Sequence, residues 1–92
     1  MKLKEMISKK NPFNSGYYKS GDLKKFGFKK VGKNVMIAKN CTIIGLKNIS
    51  LGNNIRIDSN VVIAASDGYL KLENYIHIGA GCFLGCGSGI TF

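Results

Sequence analysis

Tryptophan is absent from this chain of 92 residues, and proline and histidine occur only once each. No apolar run is long enough to cross a bilayer, and the N-terminal stretch MKLKEMISKK lacks the apolar segment of a secretory signal peptide. We therefore expect a cytoplasmic protein that does not insert into membranes. The cysteine count is odd, and we expect Cys41, Cys82 and Cys86 to be free, reduced thiols.

The shortage of histidine also limits metal chemistry. A zinc site draws its ligands from His, Cys and carboxylate side chains, and this chain has one His and no Cys-x-x-Cys pair. We therefore predict that the protein uses no metal.

Acidic residues are few, with five Asp and Glu against 14 Lys and Arg, and the formal net charge is +9. Arg56 is the only arginine, and most of the lysines precede residue 40. Specific nucleic-acid recognition usually relies on Arg forks and stacking aromatics, and the N-terminal segment contains no motif of that kind. We expect no nucleic-acid partner. The lysines form either a solvated face or a field that attracts small anionic ligands.

The first thirty residues differ in pattern from the rest and form a lead-in or cap. MKLKEMISKK fits one or two turns of amphipathic helix, and SGDLKKFGF predicts a short helix with Ser20 as N-cap and Gly27 closing it. The aromatic residues between these stretches are expected to pack on the first coil, or alternatively to form a sugar-stacking platform; they are Phe13, Tyr17 and Tyr18.

Residues 31–92 follow a six-residue period. Each six opens with an aliphatic residue, and three sixes plus a short loop return the pattern to its starting phase. The opening residues are Val31, Ile37 and Ile43, then Leu51, Ile57 and Ile63, then Leu72, Ile78 and Leu84. Such a period predicts short parallel strands wound into a solenoid of triangular section, with these residues stacked inside.

The fourth position of each six is usually asparagine or glycine. These residues tolerate the left-handed backbone that a solenoid corner requires. The corner residues predicted in this way are Asn34, Asn40, Asn54, Asn60 and Gly81.

The segments VGKNVMIAKNCTII, ISLGNNIRIDSNVVI and YIHIGAGCFLGCGSGITF resemble the hexapeptide-repeat acyltransferases. Together with the lead-in YYKSGDLKKFGFKKVGKNV, they are similar to the bacterial sugar O- and N-acetyltransferases of surface-polysaccharide synthesis. The resemblance implies an all-β chain, a left-handed parallel β-helix of about three coils behind a short helical lead-in. It also implies a homotrimer with active sites between subunits, acetyl-CoA as donor and a sugar or nucleotide sugar as acceptor. Members usually continue for several more coils, so we expect this chain to be an N-terminal part.

His77 is the candidate catalytic residue. Its neighbours Ile76 and Ile78 hold inward positions, so alternation along the strand turns His77 outward, in one column with Arg56 and Met36. Imidazole titrates near neutral pH and suits the role of general base for an attacking hydroxyl or amine. In the family that the sequence resembles, a histidine on the solenoid wall commonly serves as the base or contacts the acetyl group, and the stretch HIGAG resembles its context. The alternative is an ordinary surface or interface histidine.

The other candidates are ligand-binding residues. A backbone N–H at Gly79 or Gly81 would stabilise an oxyanion. Arg56 would bind a phosphate of substrate or CoA, or else form a salt bridge with Asp58 or Glu73. Asp58 would orient His77 from the preceding coil, or else serve only as a corner carboxylate.

Two further expectations concern the cysteines and the class of protein. Cys82 is expected to point into the core, and Cys86, on the glycine-rich loop, to be more exposed. The leading hypothesis is an acetyl-CoA-dependent sugar acetyltransferase or its N-terminal part. The alternative is a non-catalytic β-helix module that trimerises or binds a partner. A zinc β-helix enzyme that hydrates carbon dioxide needs several histidines and is set aside.

Overall fold

The computed structural model describes residues 12–92, so the helix predicted in MKLKEMISKK lies outside the described residues. The described residues form short strands and a single turn of α-helix. The elements of the lead-in and first coil are β1 (Tyr17–Lys19), α1 (Ser20–Leu23), β2 (Lys30–Val31), β3 (Val35–Ala38) and β4 (Thr42–Ile44). They are followed by a 3₁₀ turn (Leu46–Asn48), β5 (Ile49–Ile57), β6 (Val62–Ala64), β7 (Leu70–Ile78), β8 (Phe83–Gly85) and β9 (Ile90–Thr91).

The strands stack in parallel from coil to coil. One sheet runs from β3 through β5 and β7 to β9, with β2 paired to the start of β5, and a second sheet contains β4, β6 and β8. Val31 is in register with Leu51, and Leu51 with Leu72, as the six-residue period predicts. The left-handed parallel β-helix of about three coils is confirmed.

The core is the stack of inward aliphatic side chains along the solenoid axis. Each coil places its residues directly on those of the next, so the middle coil is covered on both sides. Its fully buried members are Ile49, Leu51, Ile55, Ile57, Val61 and Ile63. Burial of this stack supplies the main hydrophobic stabilisation, and it fixes which side chains of β5 and β7 point outward.

The corners mostly use the residues that the sequence indicates. Asn34, Asn54 and Asn60 have φ angles of 56°, 59° and 59°, and Gly81 has a φ of 78°. Asn40 is not among the left-handed residues of the described chain, so that prediction is wrong. Tyr75 takes the fourth position of the third coil with a φ of 56°, which sequence reasoning did not anticipate.

The two cysteine predictions for the last coil are wrong. Cys82 is exposed, although Val61 in the same column is fully buried. Val61 has a coil on each side, whereas no later coil of the described residues covers Cys82. Cys86 is fully buried, because inward alternation continues from Leu84 past the end of β8 and places Cys86 level with the buried Ala65 of the preceding coil.

The lead-in is tied to the first coil by β1, which pairs antiparallel with β3. The helix N-cap is Lys19 rather than Ser20, and the Asp22 carboxylate accepts a hydrogen bond from the Lys19 N–H. The Ser20 hydroxyl instead accepts a hydrogen bond from the Val35 N–H at 2.8 Å, which fixes the lead-in to β3. Within residues 12–92, no helix is long and apolar enough to cross a membrane.

Candidate active site

Parallel pairing places His77 in the predicted column. Met36 on β3, Arg56 on β5 and His77 on β7 are in register. Their strand neighbours point into the core, so the Arg56 and His77 side chains point outward and are about half exposed, at 53% and 51%. The outward column of Met36, Arg56 and His77 is confirmed.

Asp58 is the centre of a polar cluster built on this column. It follows β5 directly, and its Oδ2 lies 2.7 Å from His77 Nε2. Its Oδ1 lies 3.1 Å from Arg56 Nε and accepts a hydrogen bond of 2.9 Å from the Tyr17 hydroxyl. Three side chains, one each from β1, β5 and β7, therefore meet at one carboxylate, which is only 20% exposed.

The cluster favours a negatively charged Asp58. Hydrogen bonds from His77 and then from Tyr17 lower the pKa of the Asp58 carboxyl, and the Arg56 charge adds to this effect. Donation to the carboxylate raises the pKa of the Tyr17 hydroxyl, which therefore stays protonated as a donor. The two effects agree: Asp58 is the acceptor and the other members are donors.

Hydrogen-bonding capacity determines which His77 nitrogen remains available. Nε2 lies 2.7 Å from the Asp58 carboxylate and 2.9 Å from an Arg56 guanidinium nitrogen. A guanidinium only donates, and one ring nitrogen cannot donate to Asp58 and accept from Arg56 at once. We assign the Nε2 proton to the contact with Asp58, because it is shorter and joins a donor to an anion. In the neutral ring, Nδ1 then carries the free lone pair.

The two glycine candidates differ in availability. The Gly81 N–H donates to the Ser59 carbonyl at 3.0 Å, so it is already used inside the solenoid and is not a free oxyanion donor. Gly79 follows directly after β7, and a Cβ built there would meet no atom within 4 Å. Space therefore exists for a ligand beside the Gly79 backbone, two residues from His77.

The structure shows the side-chain contacts of Arg56 and Asp58, whereas their roles toward a ligand stay predictions. Arg56 forms the salt bridge with Asp58, not with Glu73, and Asp58 contacts His77 from the preceding coil as well as ending its strand. Tyr17 is the member that sequence reasoning missed, since it was expected to pack as part of a cap. Adjacent residues of a strand face opposite ways, and Tyr18 packs edge-on against Phe26. This alternation along β1 is the one feature of the sequence from which the orientation of Tyr17, opposite to that of Tyr18, could have been predicted.

An open groove of about 380 Å³ lies beside the cluster. Met36, Arg56 and His77 border one side of it, and its other side is the corner column Asn34, Asn54 and Tyr75. We call this the histidine groove. Its lining combines apolar surface with the polar ends of Arg56 and His77.

A second groove, of about 410 Å³, lies on the preceding face of the solenoid. Lys30, Ser50 and Lys71 line it and are in register on β2, β5 and β7. We call this the lysine groove. Within residues 12–92, the ion pairs that form involve Arg56 and His77 with Asp58, so Lys30 and Lys71 are in no ion pair, and Glu73 is the one acidic residue that also lines this groove. The same residues contain no group of three His, Cys, Asp or Glu side chains that could hold a metal.

Fold and cluster together define a left-handed parallel β-helix that carries a carboxylate-oriented histidine on its wall. No protein-family model matches the chain. Over 56 residues, 61% of this chain, it is 48% identical to dTDP-4-amino-4,6-dideoxy-D-glucose acyltransferase of Escherichia coli. It covers 29% of that relative.

The chain is also similar to a solved structure of an acyltransferase. It is a mutant of AntD, an N-acyltransferase from Bacillus cereus, in complex with dTDP-4-amino-4,6-dideoxyglucose and coenzyme A. The TM-score is 0.75 at 42% identity, and the match covers 85% of this chain and 40% of AntD. The chain is thus similar to two acyltransferases linked to one dTDP amino sugar, and it spans well under half the length of either.

Proposed function

We propose that this chain belongs to an enzyme that transfers an acetyl group from acetyl-CoA to the amino group of a dTDP-linked 4-amino-4,6-dideoxy sugar. The observation that carries the proposal is the Asp58–His77 contact on the wall of a β-helix that is similar to such acyltransferases. Among the acceptors left open by the sequence, the names of the two relatives favour an amine over a hydroxyl. The pathway class remains surface-polysaccharide synthesis.

His77 acts as the general base in this mechanism. Asp58 holds the Nε2 proton, which leaves the Nδ1 lone pair to take a proton from the acceptor. The neutral amine attacks the thioester carbon, forming the C–N bond, and the nitrogen passes a proton to Nδ1. Asp58 stabilises the resulting imidazolium, which is the role a buried carboxylate plays behind a catalytic histidine.

The remaining charge changes fall on the thioester. Its carbonyl oxygen becomes negative in the tetrahedral intermediate, and the Gly79 N–H is the candidate donor to it. Collapse of the intermediate breaks the C–S bond, and the departing CoA thiolate takes the proton from His77. The products are the amide and free CoA, and His77 returns to its neutral state.

The lysine groove is the proposed phosphate site. Both substrates are multiply charged anions, and Lys30 and Lys71 flank the Ser50 hydroxyl there. Lys71 precedes His77 by six residues on β7, at most about 20 Å of extended strand. A nucleotide sugar or CoA is long enough to place phosphate at one groove and its reacting group at the other.

A cytoplasmic homotrimer is the proposed form of the enzyme. Exposed apolar side chains on the second sheet support association, since Ile44 is 52% exposed and Phe83 68% exposed. They lie on β4 and β8, the two outer strands of one sheet, and exposed apolar side chains on one face are typical of surfaces that another subunit covers. Sedimentation of the chain, with Phe83→Ser as the variant, tests this assembly.

Transfer activity tests the function. Acetyl-CoA and dTDP-4-amino-4,6-dideoxyglucose are each titrated into the chain, and release of CoA thiol is followed when both are present. We expect binding of both and acetylation that His77→Ala reduces by about 100-fold or more. Lys71→Gln should raise KM for the substrate whose phosphates it holds, whereas Lys47→Gln on the 3₁₀ turn should not. A folded chain that binds neither substrate contradicts the proposal and favours the non-catalytic module.

A further inference from the structure

Tyr75 has an unfavourable backbone conformation for its residue type. Its φ of 56° lies in the left-handed region, which bulky side chains seldom adopt and which Asn and Gly occupy at the other corners. The Tyr75 side chain is 82% exposed, so burial does not repay this strain. Local strain that packing does not explain is concentrated at functional sites.

Tyr75 also interrupts a side-chain ladder. In the two preceding coils the same corner holds Asn34 and Asn54, and the Asn34 Nδ2 donates to the Asn54 Oδ1 at 2.8 Å. A third asparagine would extend this ladder and suit the backbone. Compared with asparagine at this corner, tyrosine has a less favourable backbone conformation and lacks the hydrogen bond of the ladder.

The position of Tyr75 indicates what the side chain contacts. It borders the histidine groove two residues before His77, at a separation of about 7 Å along the strand. A sugar whose amino group reaches His77 places its ring beside Tyr75. The nucleobase, a diphosphate and a deoxyribose further on, lies beyond that distance. Met36 adds apolar surface to the same groove.

We propose that Tyr75 is a specificity residue that stacks on the apolar face of the acceptor's hexose ring. The proposal deepens the proposed function and rests on it. A deoxy sugar has fewer hydroxyls and a methyl group, so it offers more C–H surface to an aromatic ring than a fully hydroxylated hexose does. Tyr75 thereby selects the acceptor by its sugar ring and not by its nucleotide.

Two substitutions separate the ring from the strain. Tyr75→Phe keeps the ring and the strained backbone, and it should leave KM for the amino sugar nucleotide within about twofold. Tyr75→Asn removes the ring, relieves the backbone and can extend the ladder. It should raise Tm by about 4–8 °C and raise KM about five- to tenfold.

Titration with two ligands assigns the contact to the sugar. Tyr75→Asn should weaken binding of dTDP-4-amino-4,6-dideoxyglucose about five- to tenfold and leave binding of dTDP alone unchanged. An equal loss for both ligands would move the contact to the nucleobase and overturn the proposal. Unchanged binding of both would overturn it too, as would a Tyr75→Asn chain of altered oligomeric state, which would assign Tyr75 to a subunit contact. If wild type binds neither ligand, the proposed function itself fails, and that outcome is distinct from all the others.

Discussion

Replacing Asp58 by Asn tests whether the cluster sets the proton position on His77. Asp58 Oδ1 already accepts from Tyr17 and contacts Arg56, whereas Oδ2 contacts His77. Asparagine has only one acceptor oxygen. Keeping that oxygen on the Tyr17 and Arg56 side turns the amide NH₂ toward His77 Nε2, which must then accept. The ring proton moves to Nδ1, and the lone pair that faced the acceptor is lost.

The size of the effect follows from the role of the base. General base catalysis contributes about 10²–10⁴ in rate, and His77 is half exposed, so we expect a loss near the lower end. A fall of about 100-fold in kcat corresponds to about 2.7 kcal/mol of barrier. Because Asp58 touches His77 and not the substrate, KM should stay within about twofold. Tyr17→Phe leaves the His77 contact in place and should cost kcat less than about tenfold.

Steady-state acetyl transfer with both substrates varied is the assay. Asp67→Asn is the matched control, since Asp67 is an exposed loop carboxylate outside the cluster. The reasoning is refuted if Asp58→Asn retains kcat within about threefold of wild type, or if KM rises while kcat holds. Either result would reduce Asp58 to a structural carboxylate.

Three other expectations concern stability and access. Gly52→Ala places a Cβ 1.5 Å from the Glu73 carbonyl oxygen, so β5 and β7 must separate. Thermal melting should show a loss of folding stability of at least about 3 kcal/mol. Gly87→Ala is the control: its Cβ would meet nothing within 4 Å, so it should melt like wild type. A thiol reagent should label Cys82 in the folded chain and Cys86 only after unfolding; equal rates would contradict the burial. The pKa of Asp58 is lowered on folding. Its contribution to folding stability is therefore present above its ordinary pKa near 3.9 and is lost as pH falls through the folded value. In thermal melting at acidic pH, Asp58→Asn should lack this pH-dependent loss of stability.

The repeat could be predicted because inward burial dictates it. A side chain such as Leu51 must point inward for the coil to close, and the six-residue period records that requirement directly. Once the inward positions are known, strand alternation turns Arg56 and His77 outward, and the coil length sets them in register. The column on the solenoid wall therefore follows from the sequence alone.

The polar cluster was less accessible to sequence reasoning because outward side chains have several possible partners. Arg56 had two candidate carboxylates, and only the corner geometry after β5 selects Asp58. Tyr17 was less predictable still, because its position depends on antiparallel pairing of β1 with β3, outside the repeat. The six-residue period constrains only the strands of the repeat, so it contains no information on the position of β1.

The lead-in and the solenoid thus depend on each other at the site. Tyr17 reaches Asp58 across 41 residues of sequence, and Asp58 is the residue that fixes the proton on His77 in the proposed mechanism. The Ser20 contact to Val35 holds β1 in the register that makes this possible. A β-helix without its lead-in would retain the outward histidine but lose one of the three donors that keep Asp58 ionised and in place. The lead-in is for this reason part of the chemistry of the proposed site, beyond any role in covering the first coil.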